Sequence, residues 1–294
     1  MAIFEGAGVA IVTPMKEDGS VNYEKLEQLI DDQVKGGTDA IVIAGTTGES
    51  ATLSMEEHKS VIEAAVRFTA HRIPVIAGTG SNETNTAIQL TKEAEEAGAD
   101  AALLVTPYYN KATQKGLILH YEKIADETKL PMILYCVPGR TGTNIEASTM
   151  AHLFQSKSNI VGLKDATGNF EQAERMMDLT DGKLELYSGE DALVLPLLSI
   201  GAIGVISVWS NLAPRDVHDM VRSFLDGDLK KARQLQFKGL DLVKALFSEV
   251  SPGPVKAAMN LMGMEVGPLR LPLCSMEDKN LENLKKVMKE YGLL

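Results

Sequence analysis

Lys164 stands at the end of the short apolar run Ile160-Val161-Gly162-Leu163 and is followed by the polar stretch Asp165-Ala166-Thr167-Gly168-Asn169. The run reads as a buried strand. An ammonium carried into such a place loses hydration unless it finds a partner or sheds its proton, so the position favours a depressed amine pKa. A neutral amine attacks carbonyl carbon, and the chemistry open to this residue is Schiff-base formation. On this stretch alone an ordinary alternative stands beside it: a lysine that leaves the strand and pairs with Asp165 at the surface.

Other residues supply what a Schiff base needs. Tyr135 ends the run Met132-Ile133-Leu134 and is expected to point toward Lys164, where a phenol could move protons to and from a carbinolamine. The competing role is a packed tyrosine with a satisfied hydroxyl. Arg140 follows Pro138-Gly139 on a loop, where its fork suits a carboxylate; a plain surface arginine is the commoner outcome for a loop. Gly45-Thr46-Thr47-Gly48-Glu49 offers small residues, two hydroxyls and free N–H groups ahead of a helix, suited to a carboxylate or phosphate. The same loop also reads as a plain turn before a helix capped by Thr52 or Ser54. His58, His71, His120, His152 and His218 are scattered without metal-ligand spacing, so no metal is expected. An iminium is itself an electron sink, and no cofactor is needed either.

The elements that must position these groups recur along the chain. Short apolar runs at 9–12, 40–44, 75–77, 101–105, 132–135, 160–163, 184–187 and 205–208 alternate with amphipathic stretches such as Tyr23-Leu26-Leu29-Ile30-Val34. Eight βα units predict an α/β fold, a (β/α)8 TIM barrel, whose chemistry gathers at strand C-termini. A doubly wound sheet is disfavoured because no Gly-x-Gly-x-x-Gly follows the first run, which ends in Thr13-Pro14. After residue 226 the pattern is helical only, over 229–247, 254–262 and 277–291. The expected division is a catalytic barrel over 1–226 and an all-helical C-terminal domain over 227–294.

Composition sets outer limits. Among 294 residues, 29 Lys and Arg face 40 Asp and Glu, a net charge of −11, with no basic block, so a nucleic-acid partner is not expected. Cys136 and Cys274 form no disulfide or zinc pattern, which suits a reducing compartment. The amino terminus shows no secretion signal, and a cytoplasmic location is expected. The uncharged stretch 192–214 is long enough to be a membrane candidate, but Pro196, Gly201 and Gly204 interrupt it. It reads instead as a core helix followed by a core strand, with no membrane association.

Taken together, Gly45-Thr46-Thr47-Gly48-Glu49, Tyr108-Tyr109-Asn110, Tyr135-Cys136-Val137-Pro138-Gly139-Arg140-Thr141-Gly142 and Gly162-Leu163-Lys164-Asp165-Ala166-Thr167-Gly168-Asn169 resemble the motifs of the 4-hydroxy-tetrahydrodipicolinate synthase (dihydrodipicolinate synthase) family. These are pyruvate-dependent class I aldolases on (β/α)8 barrels, and the likeness spans the whole chain. It implies a lyase that condenses pyruvate with L-aspartate 4-semialdehyde in lysine and diaminopimelate biosynthesis. Lys164 would form the Schiff base and Tyr135 would act as acid and base. Thr46 and Thr47 would hold the pyruvate carboxylate, Arg140 the carboxylate of the second substrate, and Gly189 and Ile206 would line the pocket. Thr47, Tyr135 and Tyr109 would make a proton relay, with Tyr109 reaching over from a neighbouring subunit. A homotetramer of two tight dimers is the implied assembly. Cys136 departs from the asparagine usual in the family, and a small buried thiol is the simple account of it.

The resemblance also implies an effector site at the tight-dimer interface in members inhibited by lysine. Ser50, Ala51, His58, Asn82 and Tyr108 match it, whereas Met55 replaces a histidine and Thr86 a glutamate that pairs with the effector's amino group. Losing that carboxylate should cost about 1 to 3 kcal/mol, so weak or absent inhibition by lysine is expected. Two alternatives remain in view: another pyruvate-dependent aldolase such as N-acetylneuraminate lyase, and a non-catalytic barrel serving as a small-acid sensor.

Overall fold

The computed structural model describes residues 2–294. Eight parallel strands close a barrel in the order of the chain: β1 Gly6–Ala10, β2 Ala40–Ile43, β3 Val75–Gly78, β4 Ala101–Val105, β5 Met132–Cys136, β6 Ile160–Asp165, β7 Glu185–Ser188 and β8 Gly204–Ser207. Helices follow each strand: α1 Tyr23–Gly36, α2 Met55–Thr69, α3 Thr84–Glu96, α4 Gln114–Ala125, α5 Pro138–Thr141, α6 Ala147–Ser156, α7 Phe170–Leu179, α8 Val194–Ser199 and α9 Pro214–Leu225. Three more, α10 Leu229–Leu246, α11 Gly253–Leu261 and α12 Asp278–Tyr291, complete the chain. The expected TIM barrel with C-terminal helices is the fold observed.

Local chemistry explains the helix ends. Asn22 accepts a hydrogen bond from the Lys25 N–H to start α1, and Gly37 at φ 90° ends it in the left-handed region that other residues avoid. Ser54 and Glu57 form a reciprocal capping box at the start of α2. Of the two caps expected there, Ser54 is the one used. Leu26, Leu29 and Ile30 then carry α1 onto the barrel, each contributing about 1.5 to 3 kcal/mol by burial.

The strands have two apolar faces. Val9, Ile41, Leu104, Leu134 and Leu163 pack outward against the helices. Phe4, Ala10, Val42, Ile76, Leu103, Ile133 and Ile206 fill the inside. The lower end is closed by Phe4 stacked on Tyr187 at 4.5 Å between ring centroids, with the Tyr187 hydroxyl donating to the Phe4 carbonyl at 2.9 Å. With that end filled, chemistry is left to the opposite mouth.

Two strands differ from expectation by two residues or more, the others by at most one at either end. β1 runs over Gly6–Ala10 instead of 9–12, because its ladder to β8 pairs Gly6 with Gly204 and Gly8 with Ile206. Those glycines carry no β-type side chain to mark them in the sequence. β6 continues past Leu163 through Lys164 and Asp165, which pair with Tyr135 and Cys136 on one side and with Tyr187 and Ser188 on the other. Lys164 is therefore a residue of the strand, not of the turn after it. The uncharged stretch 192–214 folds as α8, β8 and short turns, and no helix of the described residues is long and apolar enough to cross a membrane.

Candidate active site

Because strand side chains alternate, Tyr135 and Lys164 both face inward while their neighbours Cys136 and Leu163 face the helices. The two are register partners across β5 and β6, and the Lys164 Nζ lies 4.3 Å from the centroid of the Tyr135 ring. Lys164 is 6 % exposed, so the reading in which it reaches the surface to pair with Asp165 fails. Asp165 is itself buried, and its carboxylate accepts from the Thr167 N–H at 3.0 Å.

Burial pulls the Lys164 amine down to about 8; Asp191 and Glu190 resist that fall, and the Arg140 guanidinium adds to it. At neutral pH an appreciable fraction of the amine is thus unprotonated. Burial pushes the Tyr135 phenol up to about 12, with Arg140 opposing the rise. The phenol therefore keeps its proton and can donate it. An amine over the face of a phenol's ring puts a proton carrier beside any adduct formed on Nζ.

Around Nζ is a chamber of about 50 Å³ bounded by Thr46, Thr47, Tyr135, Arg140, Gly189 and Glu190, together with Val208, Phe247 and Ser251. Gly189 is required for its shape, since a Cβ there would come within 3.1 Å of Lys164 Cε and 2.8 Å of the Ala166 Cβ. Thr46 and Thr47 sit after β2, where the Glu49 N–H donates to the Thr46 carbonyl at 3.1 Å and folds the loop back over the mouth. Thr46 and Thr47 both border the chamber beside Tyr135, with Thr47 buried in the loop. Arg140 lies on the short helix α5, exposed at the rim, and donates from Nη2 to the Ser251 carbonyl at 3.4 Å.

Other expected residues take different places. Tyr109 projects from the rim after β4 with 91 % exposure and a left-handed φ of 71°, away from Thr47 and Tyr135 within this chain. Ile206 is buried in the inner layer with Tyr135, Ala166 and Tyr187, and Val208 is the β8-end residue that lines the chamber. Ser50, Ala51, Met55, His58, Thr86 and Tyr108 share a cavity of about 500 Å³ with Thr46, Tyr135 and Arg140. Asn82 lies beside it, donating to the Tyr108 carbonyl at 3.2 Å. The Thr86 hydroxyl is turned to Glu83 at 2.8 Å, and burial lowers the His58 pKa. Cys136, on the outer face of β5, accepts from the Ile145 N–H and donates to Asn144 Oδ1, both at 3.3 Å. Burial raises its thiol to about 12, so it is a packed neutral thiol.

Three carboxylates had no assigned role in the sequence. Glu190 and Asp191 follow Gly189 at the end of β7, and burial raises both pKa values. Asp191 Oδ2 accepts from the Val208 and Trp209 N–H groups at 3.0 and 2.9 Å, tying the end of β7 to the end of β8. Their position at a strand end was the available signal. Glu49 is buried against Lys256 of α11, a pairing across 207 residues that no local pattern marks.

Residues 3–291 match the model of the dihydrodipicolinate synthetase family. The chain is 57 % identical over 294 residues to the 4-hydroxy-tetrahydrodipicolinate synthase of Lachnoclostridium phytofermentans, covering 100 % of both chains. It is 54 % identical over 292 residues to that of Acetivibrio thermocellus, covering 99 % of both. Among solved structures, the chloride-inhibited dihydrodipicolinate synthase of Acinetobacter baumannii complexed with pyruvate superposes with a TM-score of 0.96, at 46 % identity and 99 % coverage of each chain. Agreement over the full barrel and its C-terminal helices leaves one assignment: the chain belongs to the dihydrodipicolinate synthetase family and is a lyase.

Proposed function

We propose that the chain condenses pyruvate with L-aspartate 4-semialdehyde through an imine on Lys164, the 4-hydroxy-tetrahydrodipicolinate synthase reaction. The observation that carries this reading is the amine itself: enclosed beside Tyr135, with a pKa near 8, it is a nucleophile at neutral pH. Nζ attacks the keto carbon of pyruvate, and the Tyr135 phenol protonates the departing hydroxyl so that water leaves and an iminium remains. Loss of a methyl proton gives the enamine. Its terminal carbon attacks the aldehyde of the second substrate, and that substrate's amino group then adds to the imine carbon and displaces Lys164 as the ring closes. The Thr46 and Thr47 loop suits the pyruvate carboxylate, and Arg140 at the rim suits the carboxylate of the aldehyde. Gly189 leaves room for the adduct beside Lys164 Cε.

Arg140 also favours this reaction over a sugar-acid lyase, whose second substrate presents hydroxyls there. The exposed Tyr109, held out from the rim, suits a phenol supplied to the partner's mouth in a tight dimer, and two such dimers would make the tetramer. The reaction needs no metal or cofactor, and it belongs in the cytoplasm with the rest of lysine and diaminopimelate synthesis. Borohydride reduction in the presence of pyruvate tests the reading: a stable mass increase on the peptide containing Lys164 is expected. An unmodified peptide would overturn it. Supplying pyruvate with either aspartate semialdehyde or N-acetylmannosamine tests the second substrate, and faster consumption of the sugar would reassign the enzyme within its superfamily.

A further inference from the structure

The loop carrying Thr46 and Thr47 is not held by its own strand and helix alone. Lys256, in the first turns of α11, is 1 % exposed, and each of its three N–H donors has an acceptor within reach. Nζ lies 2.8 Å from Glu49 Oε1, 3.2 Å from the Thr13 carbonyl and 2.5 Å from the Pro268 carbonyl. Glu49, 3 % exposed, completes its carboxylate by accepting from the Arg270 N–H at 3.0 Å. It stands at φ 56°, a conformation unfavourable to a residue with a Cβ, so the anchoring holds the backbone in place against a local preference. The second arm runs through Thr13, whose hydroxyl donates to the Gly48 carbonyl at 2.7 Å. One ammonium therefore grips the end of the Gly45–Glu49 loop both through Glu49 and through Thr13.

A buried ion pair of this kind contributes little net stability, because the cost of desolvating two charges offsets their attraction. What it does supply is placement. Ser251, just before α11, also accepts from Arg140, so the carboxylate-binding groups proposed for both substrates are braced by the same C-terminal segment.

We propose that Lys256 is a positioning residue for the pyruvate subsite, fixing the Thr46–Thr47 loop through its pairing with Glu49 and its contact to Thr13. This rests on the pyruvate reading above. The group touches no reacting atom; it sets where the two threonines stand, and a loosened loop must be ordered again on binding, which weakens the hold on pyruvate while leaving the amine itself unchanged.

The test compares wild type, Lys256→Met, the double variant Lys256→Met with Glu49→Gln, and Thr13→Val. Thermal melts are read alongside borohydride trapping as a function of pyruvate concentration. Lys256→Met should lose stability, since Glu49 is left buried and unpaired. The double variant should melt near wild type yet need about tenfold or more pyruvate for half-maximal trapping, while its rate at saturating pyruvate stays close to wild type. Thr13→Val, which leaves the ion pair intact, should raise the half-saturating concentration by a smaller factor and serves as the deciding variant if the double variant does not fold. A double variant that recovers stability and pyruvate affinity together, or an unchanged half-saturation in Thr13→Val, would overturn the inference. Absence of an adduct in wild type would instead overturn the pyruvate reading and remove the subsite on which the inference stands.

Discussion

The pH dependence of pyruvate capture follows from the burial of Lys164. Its amine falls from the ordinary lysine value of 10.5 to about 8. At pH 7 the neutral fraction is then roughly one tenth, against roughly 0.03 % for a solvated lysine, a gain of about 300-fold in nucleophile. The capture rate, measured at saturating pyruvate by rapid quench into borohydride and quantified on the Lys164 peptide, should climb about tenfold per pH unit below pH 8 and level off above it. Tyr135 stays a phenol over that range, since its own pKa is about 12.

The same shift carries a stability cost whose sign is fixed by linkage. Below pH 8 the folded and unfolded chains both hold the proton, and the folded state bears the full penalty of about 3 kcal/mol. Between pH 8 and 10.5 the folded chain releases its proton while the unfolded chain keeps it, so the penalty fades. Lys164→Met should therefore melt higher than wild type at pH 7, by roughly 5 °C, and the advantage should shrink as pH rises toward 10.5. A capture profile with its midpoint near 10.5, or a variant that melts no higher than wild type at neutral pH, would refute the reasoning.

Other substitutions separate the roles of neighbouring groups. Tyr135→Phe keeps the ring over Nζ but removes the proton carrier, and should lower turnover by about 10² to 10⁴ with little change in melting temperature; unchanged steady-state turnover would exclude the phenol from proton transfer. Arg140→Ala should spare pyruvate trapping and reduce kcat/KM for the aldehyde by about 10- to 100-fold, the worth of a charge-assisted pair; equal loss in both assays would show a different role. L-lysine should not inhibit at sub-millimolar concentration, because Met55 and Thr86 offer its ammonium no carboxylate in that part of the cavity. A steady-state titration showing sub-millimolar inhibition would contradict this.

Much of the barrel was legible because parallel strands buried on both faces are short apolar runs, and because helices between them show a 3.6-residue period. Lys164 and Tyr135 were legible for a related reason: a polar residue closing such a run falls at the mouth, and alternation decides that it points inward. β1 was displaced because Gly6 and Gly8 pair with β8 without any side-chain signature. The Asp191 contacts and the pairing of Lys256 with Glu49 arise only when segments far apart in the chain are brought together. A lysine between Val255 and Ala257 reads locally as the polar side of an amphipathic helix, yet it is among the most enclosed side chains in the molecule.

The stack of Phe4 on Tyr187 makes the barrel a well with a single opening. Reactants, products and expelled water all use one doorway, with Arg140 standing at its lip and Lys164 at its floor. On the proposed reaction, a guest seated at the lip would block the floor, so the keto acid would be loaded first and its water would depart before the aldehyde arrives. Traffic order would then follow from the architecture, independently of how tightly either guest is held.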